Sequence, residues 1–276
     1  MPLFKKVAII GTGLIGGSIA LRIKERKLAN EVVGVSRHKE NVSLALKMKA
    51  IDKGSVDLEI IKGADLLIIA TPVDTIIVLK DEILKYLNKE CIITDVGSTK
   101  EEIVRKLEKV FPNYVGSHPL AGSEKRGVVN ASPSIFDGSL CILTPTKRTN
   151  SFAFKIIKNF WEKLGAKTII LTPRVHDEAL SFVSHLPHVV AFSLINTVPK
   201  RLLKFSSGGL RDTTRIAASD TTLWKDILLS NSKNLLGAIK SFEVNLAKIK
   251  TAIKKNDVQS LEKILLQSKN TRKNLK

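Results

Sequence analysis

A histidine at position 118 lies in the stretch GSHPLAGSEKRG (residues 116–127), directly after a short apolar run. Histidine is the side chain that most readily exchanges a proton near neutral pH, so His118 could serve as a general base. A lone histidine is more often structural than catalytic, and the charged residues behind it could form an ordinary solvated loop. The elements that position His118 therefore decide which interpretation holds.

A glycine-rich turn, GTGLIGG (residues 11–17), follows the strand-like run KVAII (residues 6–10) and opens a segment with helical spacing. In that context the first glycine makes a tight turn and the second lets the backbone approach a pyrophosphate. The third lets the helix pack on the strand, and the pyrophosphate rests on free N–H groups at the helix N-terminus. We therefore predict a dinucleotide site at Gly11, Thr12, Gly13, Leu14, Ile15 and Gly16.

The end of the second strand bears on which dinucleotide binds. An NAD site usually has an acidic residue about 20 residues beyond the glycines, which binds the ribose 2′-hydroxyl. Here that position is Ser36, followed by Arg37. A hydroxyl and a guanidinium suit a 2′-phosphate, so NADP is the first choice of cofactor. NAD stays open, because an exposed basic turn in a basic protein would show the same residues.

Strand-like and helical segments alternate through the first part of the chain. Apolar runs at 6–10, 31–35, 66–70, 91–94, 114–117, 139–143 and 168–171 predict strands, with helices between most of them. This alternation predicts an α/β fold, a Rossmann-like, doubly wound parallel sheet with helices on both faces. After Thr172-Pro173 only helical spacing is found. We therefore expect a dinucleotide-binding domain at 1–172 and an all-helical substrate and dimerisation domain at 173–276.

Ligands of open parallel sheets bind outside the carboxyl ends of the strands. Two loops follow strand ends on that edge, ATPV (residues 70–73) and DVGS (residues 95–98). We expect Thr71, Pro72, Val96 and Gly97 to line the cofactor cleft. His118 also follows a predicted strand and should face the same cleft.

The net charge of +19 is large, but the lysines are spread along the whole chain and aromatic residues make up only 5%. We favour a solvated lysine-rich surface that steers anionic molecules, with no nucleic-acid partner. The alternative is a nucleotide-sensing or nucleic-acid-binding protein without catalysis. No run approaches the ~20 apolar residues of a membrane span, so no membrane partner is expected. The two cysteines lie in apolar runs, which is typical of a cytoplasmic protein.

Six motifs occur in order: GTGLIGGS, ATPV, DVGSTK, GSHPLAGSEKRG, SHLPH and GLRDTTRIAASDTTLW. Together they resemble the prephenate/arogenate dehydrogenase family of tyrosine biosynthesis, over about residues 5–250. The resemblance implies a nucleotide-binding domain, a helical domain that forms a homodimer, and NAD(P)-dependent oxidative decarboxylation. Other two-domain dehydrogenases share the glycine turn but have no reason to carry SHPLAGSE, HLPH and RDTTR.

The resemblance also implies roles for individual residues. His118 would be the catalytic histidine on the substrate's C4 hydroxyl, and Ser98 would contact the same hydroxyl. The residues implied to bind substrate are Ser123 and Glu124 in the pocket loop, His188 and Arg215 at the substrate's carboxylate-bearing groups, His185 as a further pocket histidine, and Asp212 as a gate. The two histidines of SHLPH could instead form a metal pair, but Pro187 lies between them and a third ligand is lacking, so no metal is predicted.

Prephenate and arogenate differ by a keto or an amino group on the side chain. His188 favours prephenate, since relatives restricted to arogenate often differ at that position, whereas Ser36 and Arg37 favour the arogenate type. Prephenate, giving 4-hydroxyphenylpyruvate, is the first choice. Arogenate (cyclohexadienyl) dehydrogenase activity, giving tyrosine directly, is the alternative.

Overall fold

Eight strands form one sheet in the computed structural model, which describes residues 1–122 and 127–275. In chain order they are β1 Phe4–Ile10, β2 Ala29–Val35, β3 Lys53–Ser55, β4 Leu66–Ile69, β5 Ile92–Asp95, β6 Tyr114–Pro119, β7 Leu140–Thr144 and β8 Lys167–Ile170. Across the sheet the order is β3-β2-β1-β4-β5-β6-β7-β8. The order reverses between β1 and β4, where a doubly wound sheet forms its ligand crevice.

The predicted parallel sheet is confirmed from β3 to β6, but β7 runs antiparallel to β6 and β8 runs parallel to β7. In the described part of the β6–β7 connection the chain forms two short 3-10 turns, Val128–Asn130 and Pro133–Phe136. Parallel neighbours need a long crossover, usually a helix, and without one the chain returns in the opposite direction. The short strand β3 was not predicted, because KGS lacks the apolar character of the other strands.

Helices cover both faces of this sheet and continue beyond it. They are α1 Leu14–Glu25, α2 Lys39–Lys47, α3 Val73–Val78, α4 Lys80–Leu84, α5 Glu101–Leu107, α6 Ser151–Leu164, α7 Pro173–Leu180, α8 Leu186–Thr197, α9 Gly208–Thr214, α10 Thr221–Ser230, α11 Ser232–Lys254 and α12 Val258–Lys273. The alternation along β1 separates two cores: Val7 and Ile9 pack on one face, Ala8 and Ile10 on the other. Every one of these four side chains is buried.

The helical region that follows Thr172 buries much less of its apolar surface. Within α8 only Ala191 is buried, and α12 has no buried residue among those described. Val183 is 72% exposed, and Leu229 and Leu236 are 67% and 65% exposed. Such a surface on a folded chain indicates a partner that covers it.

One continuous helical run, Pro173–Thr197, is long and apolar enough by length and composition to cross a membrane. It consists of α7, a π-helical turn at Ser181–His185, and α8. Its buried residues, however, include His176, Asp177 and His185, which contact polar groups of the sheet domain and Asn231, the residue before α11. These contacts tie the run to the rest of the chain.

The glycine turn gives a test of the packing of α1 on β1. A Cβ added at Gly16 would lie 2.0 Å from the carbonyl oxygen of Gly11, and backbone has to move to relieve that clash. We expect Gly16→Ala to lower the free energy of unfolding by about 1–3 kcal/mol, as overpacking usually does. Chemical denaturation of the two proteins measures it.

Gly13→Ala is the matched control, because a Cβ at Gly13 meets no atom within 4 Å. It should change stability by less than about 1 kcal/mol, the range for capping effects at such a position. Equal losses in the two variants would contradict the packing account of Gly16.

Candidate active site

A cavity of ≈ 500 Å³ opens at the carboxyl edge of the sheet, outside the ends of β1, β2, β3 and β4. Of the predicted cofactor residues, the following line it: Gly11, Thr12, Gly13, Ser36, Arg37, Thr71 and Pro72. Leu14, Ile15 and Gly16 instead form the first turn of α1, and Val96 and Gly97 lie beyond β5, outside this lining. His38 and Asp57, which were not predicted, also line the cavity.

The backbone around the turn fits a dinucleotide. Gly11 has a φ of +97°, and a Cβ there would lie 2.4 Å from the Ala70 carbonyl oxygen, so only glycine holds β1 and β4 this close. The buried hydroxyl oxygens of Thr12 and Thr71 have no hydrogen-bond partner within the described chain. Buried polar atoms are normally paired, so these two hydroxyls indicate a polar ligand in the cavity.

A second cavity, of ≈ 490 Å³, lies between the sheet domain and the helical domain. It brings together five predicted residues: Ser98, His118, His185, His188 and Arg215. They come from the loop after β5, from β6, from the π-helical turn, from α8 and from the 3-10 turn after α9. These residues are far apart in the sequence, and they meet in space because the helical domain packs over the carboxyl edge of the sheet.

Three other predicted substrate residues have different outcomes. Asp212 is exposed on α9 and does not line the cavity, although the same segment contributes Arg215. Ser123 and Glu124 lie outside the described residues. Their roles remain predictions.

His118 lies inside β6 rather than in a loop behind it, and is only 9% exposed. Its Nδ1 atom lies 2.8 Å from Nε2 of His176 on α7. Burial lowers the pKa of His118 well below its ordinary value, and the neighbouring His176 and Lys100 lower that pKa further. His118 is therefore neutral near pH 7 and able to accept a proton.

The buried His176 lies between His118 and Asp177. Its Nδ1 atom is 2.7 Å from Oδ1 of Asp177. The carboxylate of Asp177 also accepts the backbone N–H groups of Lys100, at 2.7 Å, and Glu101, at 2.9 Å. Asp177 is thus bonded at both oxygens and ties the first helix of the helical domain to the start of α5.

A fully buried lysine supports this junction from the sheet side. The Nζ atom of Lys100 donates to Oδ2 of Asp95 and, at 2.8 Å, to the carbonyl oxygen of Ser117. Asp95 also accepts the Tyr114 hydroxyl, at 2.6 Å. A buried charge pair of this kind requires such additional hydrogen bonds. Removal of either charged side chain would be strongly destabilising, because the other charge would stay buried without a partner. The network fixes the strand that carries His118.

The two histidines of SHLPH have different partners. The side-chain amide of Asn231 donates to Nδ1 of His185, at 3.1 Å, and to the Asp177 carbonyl oxygen, at 2.7 Å. His185 therefore carries its proton on Nε2 when neutral, and burial lowers its pKa to about 4. His188 donates from Nδ1 to the Ser184 carbonyl oxygen, at 2.9 Å, and stacks on Trp224 at 3.4 Å between ring centroids.

Sequence reasoning missed His176, Asp177, Lys100, Asn231 and Trp224. A signal was present for the first two, since a His-Asp pair lies in the first turns of a helix introduced by Thr172-Pro173. His176 and Leu180 are four residues apart, so on a helix they share one face, and an apolar neighbour at that spacing favours a histidine that faces the core. Lys100 could not be found, because nothing in DVGSTK distinguishes a buried lysine from an exposed one.

A nucleotide-binding sheet with a histidine-lined cavity completed by a second, helical domain defines a two-domain dinucleotide-dependent dehydrogenase. Comparison with known proteins gives the family. Residues 19–170 match the family model "Prephenate dehydrogenase, nucleotide-binding domain", and residues 172–267 match "Prephenate dehydrogenase, dimerization domain". The chain belongs to the prephenate dehydrogenase family.

Individual relatives agree. The prephenate dehydrogenase of Bacillus subtilis (strain 168) is 36% identical, in an alignment that covers 98% of this chain and 76% of that protein. The cyclohexadienyl dehydrogenase of Zymomonas mobilis is 34% identical, covering 100% of this chain and 98% of that protein. A crystal structure of A. aeolicus prephenate dehydrogenase with hydroxyphenyl propionate and NAD⁺ superimposes with a TM-score of 0.94, at 33% identity, over 99% and 98% of the two chains.

The buried histidines predict how stability depends on pH. Burial lowers the pKa values of His118, His176, His185 and His188 in the folded state. Below pH 6.5 the unfolded chain therefore binds more protons than the folded chain. The contribution of these histidines to the free energy of unfolding is complete above pH 6.5 and decreases as the pH falls below it. His185, with a pKa of about 4 against 6.5, accounts for about 3 kcal/mol of that decrease.

Denaturant titrations at several pH values between 7 and 4 measure this dependence. The control is His185→Asn, which removes one titrating group and should flatten the slope by up to about 1.4 kcal/mol per pH unit. A wild-type stability that stays constant or rises on acidification would contradict the burial of neutral histidines.

Proposed function

We propose that this chain acts as a prephenate dehydrogenase, which converts prephenate to 4-hydroxyphenylpyruvate by oxidative decarboxylation with hydride transfer to NAD(P). The observation that carries the proposal is the neutral, buried His118 at the wall of a cavity that also presents Ser98, His188 and Arg215. That cavity lies at the same carboxyl edge of the sheet as the glycine turn. A base and a cation are thus available beside a nucleotide-binding cleft.

The chain's own residues supply binding and proton transfer. Bound NAD(P) supplies the hydride acceptor, and the residues lining the first cavity would hold it. His118 accepts the proton of the substrate's C4 hydroxyl as the hydride leaves C4, and Ser98 hydrogen-bonds the same oxygen. The electron pair of the bond between C1 and its carboxylate then enters the ring, and carbon dioxide departs. The ring becomes aromatic, and its oxygen recovers the proton from His118.

Charge complementarity accounts for recognition of the substrate. Prephenate carries two carboxylates, and Arg215 can bind one of them through two parallel N–H donors. When neutral, His185 offers an Nε2–H donor, fixed by the amide of Asn231. The net charge of +19 steers a dianion toward the cavity.

Prephenate is the first choice of substrate over arogenate, which carries an ammonium group in place of the keto oxygen. The relatives from Bacillus subtilis and Lactococcus lactis, 36% and 35% identical to this chain, are prephenate dehydrogenases. Arogenate remains the second candidate, since the Zymomonas mobilis relative is a cyclohexadienyl dehydrogenase.

We also propose NADP as the preferred cofactor. Ser36 and Arg37 line the nucleotide cavity at the end of β2, where an acidic side chain would repel a 2′-phosphate. Arg37 is exposed, and its Nε donates to Nε2 of His38 at 3.3 Å, so both side chains border the same position.

The assembly follows from the exposed apolar helices and from the dimerization domain that residues 172–267 match. We propose a homodimer formed through the helical domain, with the domain boundary at residue 172. A cytoplasmic location, without a nucleic-acid or membrane partner, fits this assignment. Ser123 and Glu124 would complete the substrate pocket, and Asp212 would gate it.

Turnover tests the reaction. NAD(P)H formation is followed with prephenate and with arogenate, each with NAD and with NADP. We expect turnover with prephenate, and a loss of on the order of 10²–10⁴-fold in kcat for His118→Asn, the usual contribution of a general base. Arg211→Gln is the control, since the exposed Arg211 does not line the cavity and should leave turnover unchanged. Absence of turnover with prephenate would overturn the proposal.

Cofactor choice has a separate test in Arg37→Ala. Loss of a charged hydrogen bond to a 2′-phosphate should raise KM for NADP by roughly 10- to 100-fold, the equivalent of about 1.5–3 kcal/mol. KM for NAD should stay the same, because NAD has no 2′-phosphate. An equal rise for both cofactors would contradict a 2′-phosphate site at Arg37.

A further inference from the structure

We infer that His176 and Asp177 are positioning residues that fix the tautomer of His118, so that its Nε2 atom presents a lone pair to the substrate cavity. The inference deepens the proposed function, and it rests on that function only for its kinetic consequence. None of the motifs GSHPLAGSEKRG, SHLPH or GLRDTTRIAASDTTLW contains either residue. The geometry that carries it is a line of three side chains from β6 to the middle of α7.

The assignment of protons begins at Asp177. Its Oδ1 atom accepts a hydrogen bond from the Lys100 N–H, and its Oδ2 atom accepts one from the Glu101 N–H. A proton on either oxygen that pointed along these bonds would meet the proton of the N–H donor. Asp177 is therefore an acceptor at both oxygens. The Nδ1 atom of His176, 2.7 Å from Oδ1, must then be the donor.

The next bond follows from the first. A neutral imidazole has one donor nitrogen and one acceptor nitrogen, so a His176 that donates from Nδ1 accepts at Nε2. Burial lowers the pKa of His176, which supports its neutral form. The Nδ1 atom of His118, 2.8 Å away, must therefore be protonated and donate this hydrogen bond to Nε2 of His176. The Nε2 atom of His118 is left unprotonated.

This tautomer is the one that a base requires. A His118 protonated at Nε2 would offer the cavity a donor and could not accept the hydroxyl proton. When His118 does accept that proton, its Nδ1–H already points at His176, whose own proton points at a carboxylate. The negative charge two hydrogen bonds away stabilises the imidazolium that forms.

Other charged or titratable groups also face the pair. Lys100 opposes protonation of both histidines, and His185 opposes that of His118, whereas Asp177 and Asp95 favour the charged form of His176. None of these groups donates or accepts a hydrogen bond at a ring nitrogen of His118. Among the residues that the structure describes, the hydrogen-bond partner of the His118 ring is His176, and it sets the tautomer.

The direct test needs no substrate. The full-length protein, labelled with ¹⁵N in its 5 histidines, is examined by two-bond ¹⁵N–¹H correlation, with the His118 signals assigned by their loss in His118→Asn. We expect Nδ1 of His118 to carry the proton near pH 7. A wild-type His118 that carries its proton on Nε2 would overturn the inference, whether or not prephenate is turned over.

A matched pair of variants tests the kinetic consequence. In His176→Gln the side-chain oxygen can still accept from His118 and the amide can still donate to Asp177, so kcat should stay within about tenfold of wild type. In His176→Leu, of similar size, the Nδ1–H loses its acceptor, and kcat should fall by on the order of 10²-fold. KM should change little in either, since His176 does not line the cavity.

Outcomes of this pair separate positioning from structure. Leucine and glutamine variants with equal activity and the same His118 tautomer would contradict the inference. Should His176→Leu fail to fold, the wild-type ¹⁵N spectrum and His176→Gln still decide it. Failure of the proposed reaction would appear instead as no turnover by the wild type, with the tautomer as assigned.

Discussion

The carboxylate of Asp177 is the constraint on which the site depends. It accepts two backbone N–H groups at the start of α5 and one ring N–H from its neighbour His176. The free N–H groups at a helix start are unsatisfied within the helix, so a carboxylate from another domain satisfies them and benefits from the dipole there. This side chain links the helical domain to the sheet domain and orients His176 beside His118. The backbone carbonyl oxygen of Asp177 also accepts a hydrogen bond from Asn231, which orients His185.

Burial determines the protonation state of His118. His118 lies among cationic and neutral imidazole neighbours in a place from which water is largely excluded, so its neutral form is stable. The second cavity can therefore hold a neutral His118 together with the charged Arg215. The nucleotide cavity is different, since glycines and unpaired threonine hydroxyls provide close backbone approach and hydrogen bonds. The edge of one sheet supplies both environments.

Much of the fold could be predicted from pattern, because buried parallel strands give continuous apolar runs and the glycine turn marks the first crossover. The antiparallel β7 could not, since strand direction depends on what the connection does, and the β6–β7 connection has no periodic pattern. The five residues of the cavity were found through motifs. His176, Asp177 and Lys100 were not, because hydrogen bonds between segments 58 to 77 positions apart are set by packing and leave no local pattern.

The most direct test of a buried, neutral base is the pH dependence of kcat/KM for prephenate at saturating cofactor. This ratio reports the ionisation of essential groups in the free enzyme. Because the pKa of His118 lies well below 6.5, kcat/KM should be constant from pH 6.5 to neutral pH and fall only in more acidic solution. An activity that is already half lost at pH 6.5 or above would contradict the account, since it would require a base that titrates as it does in water.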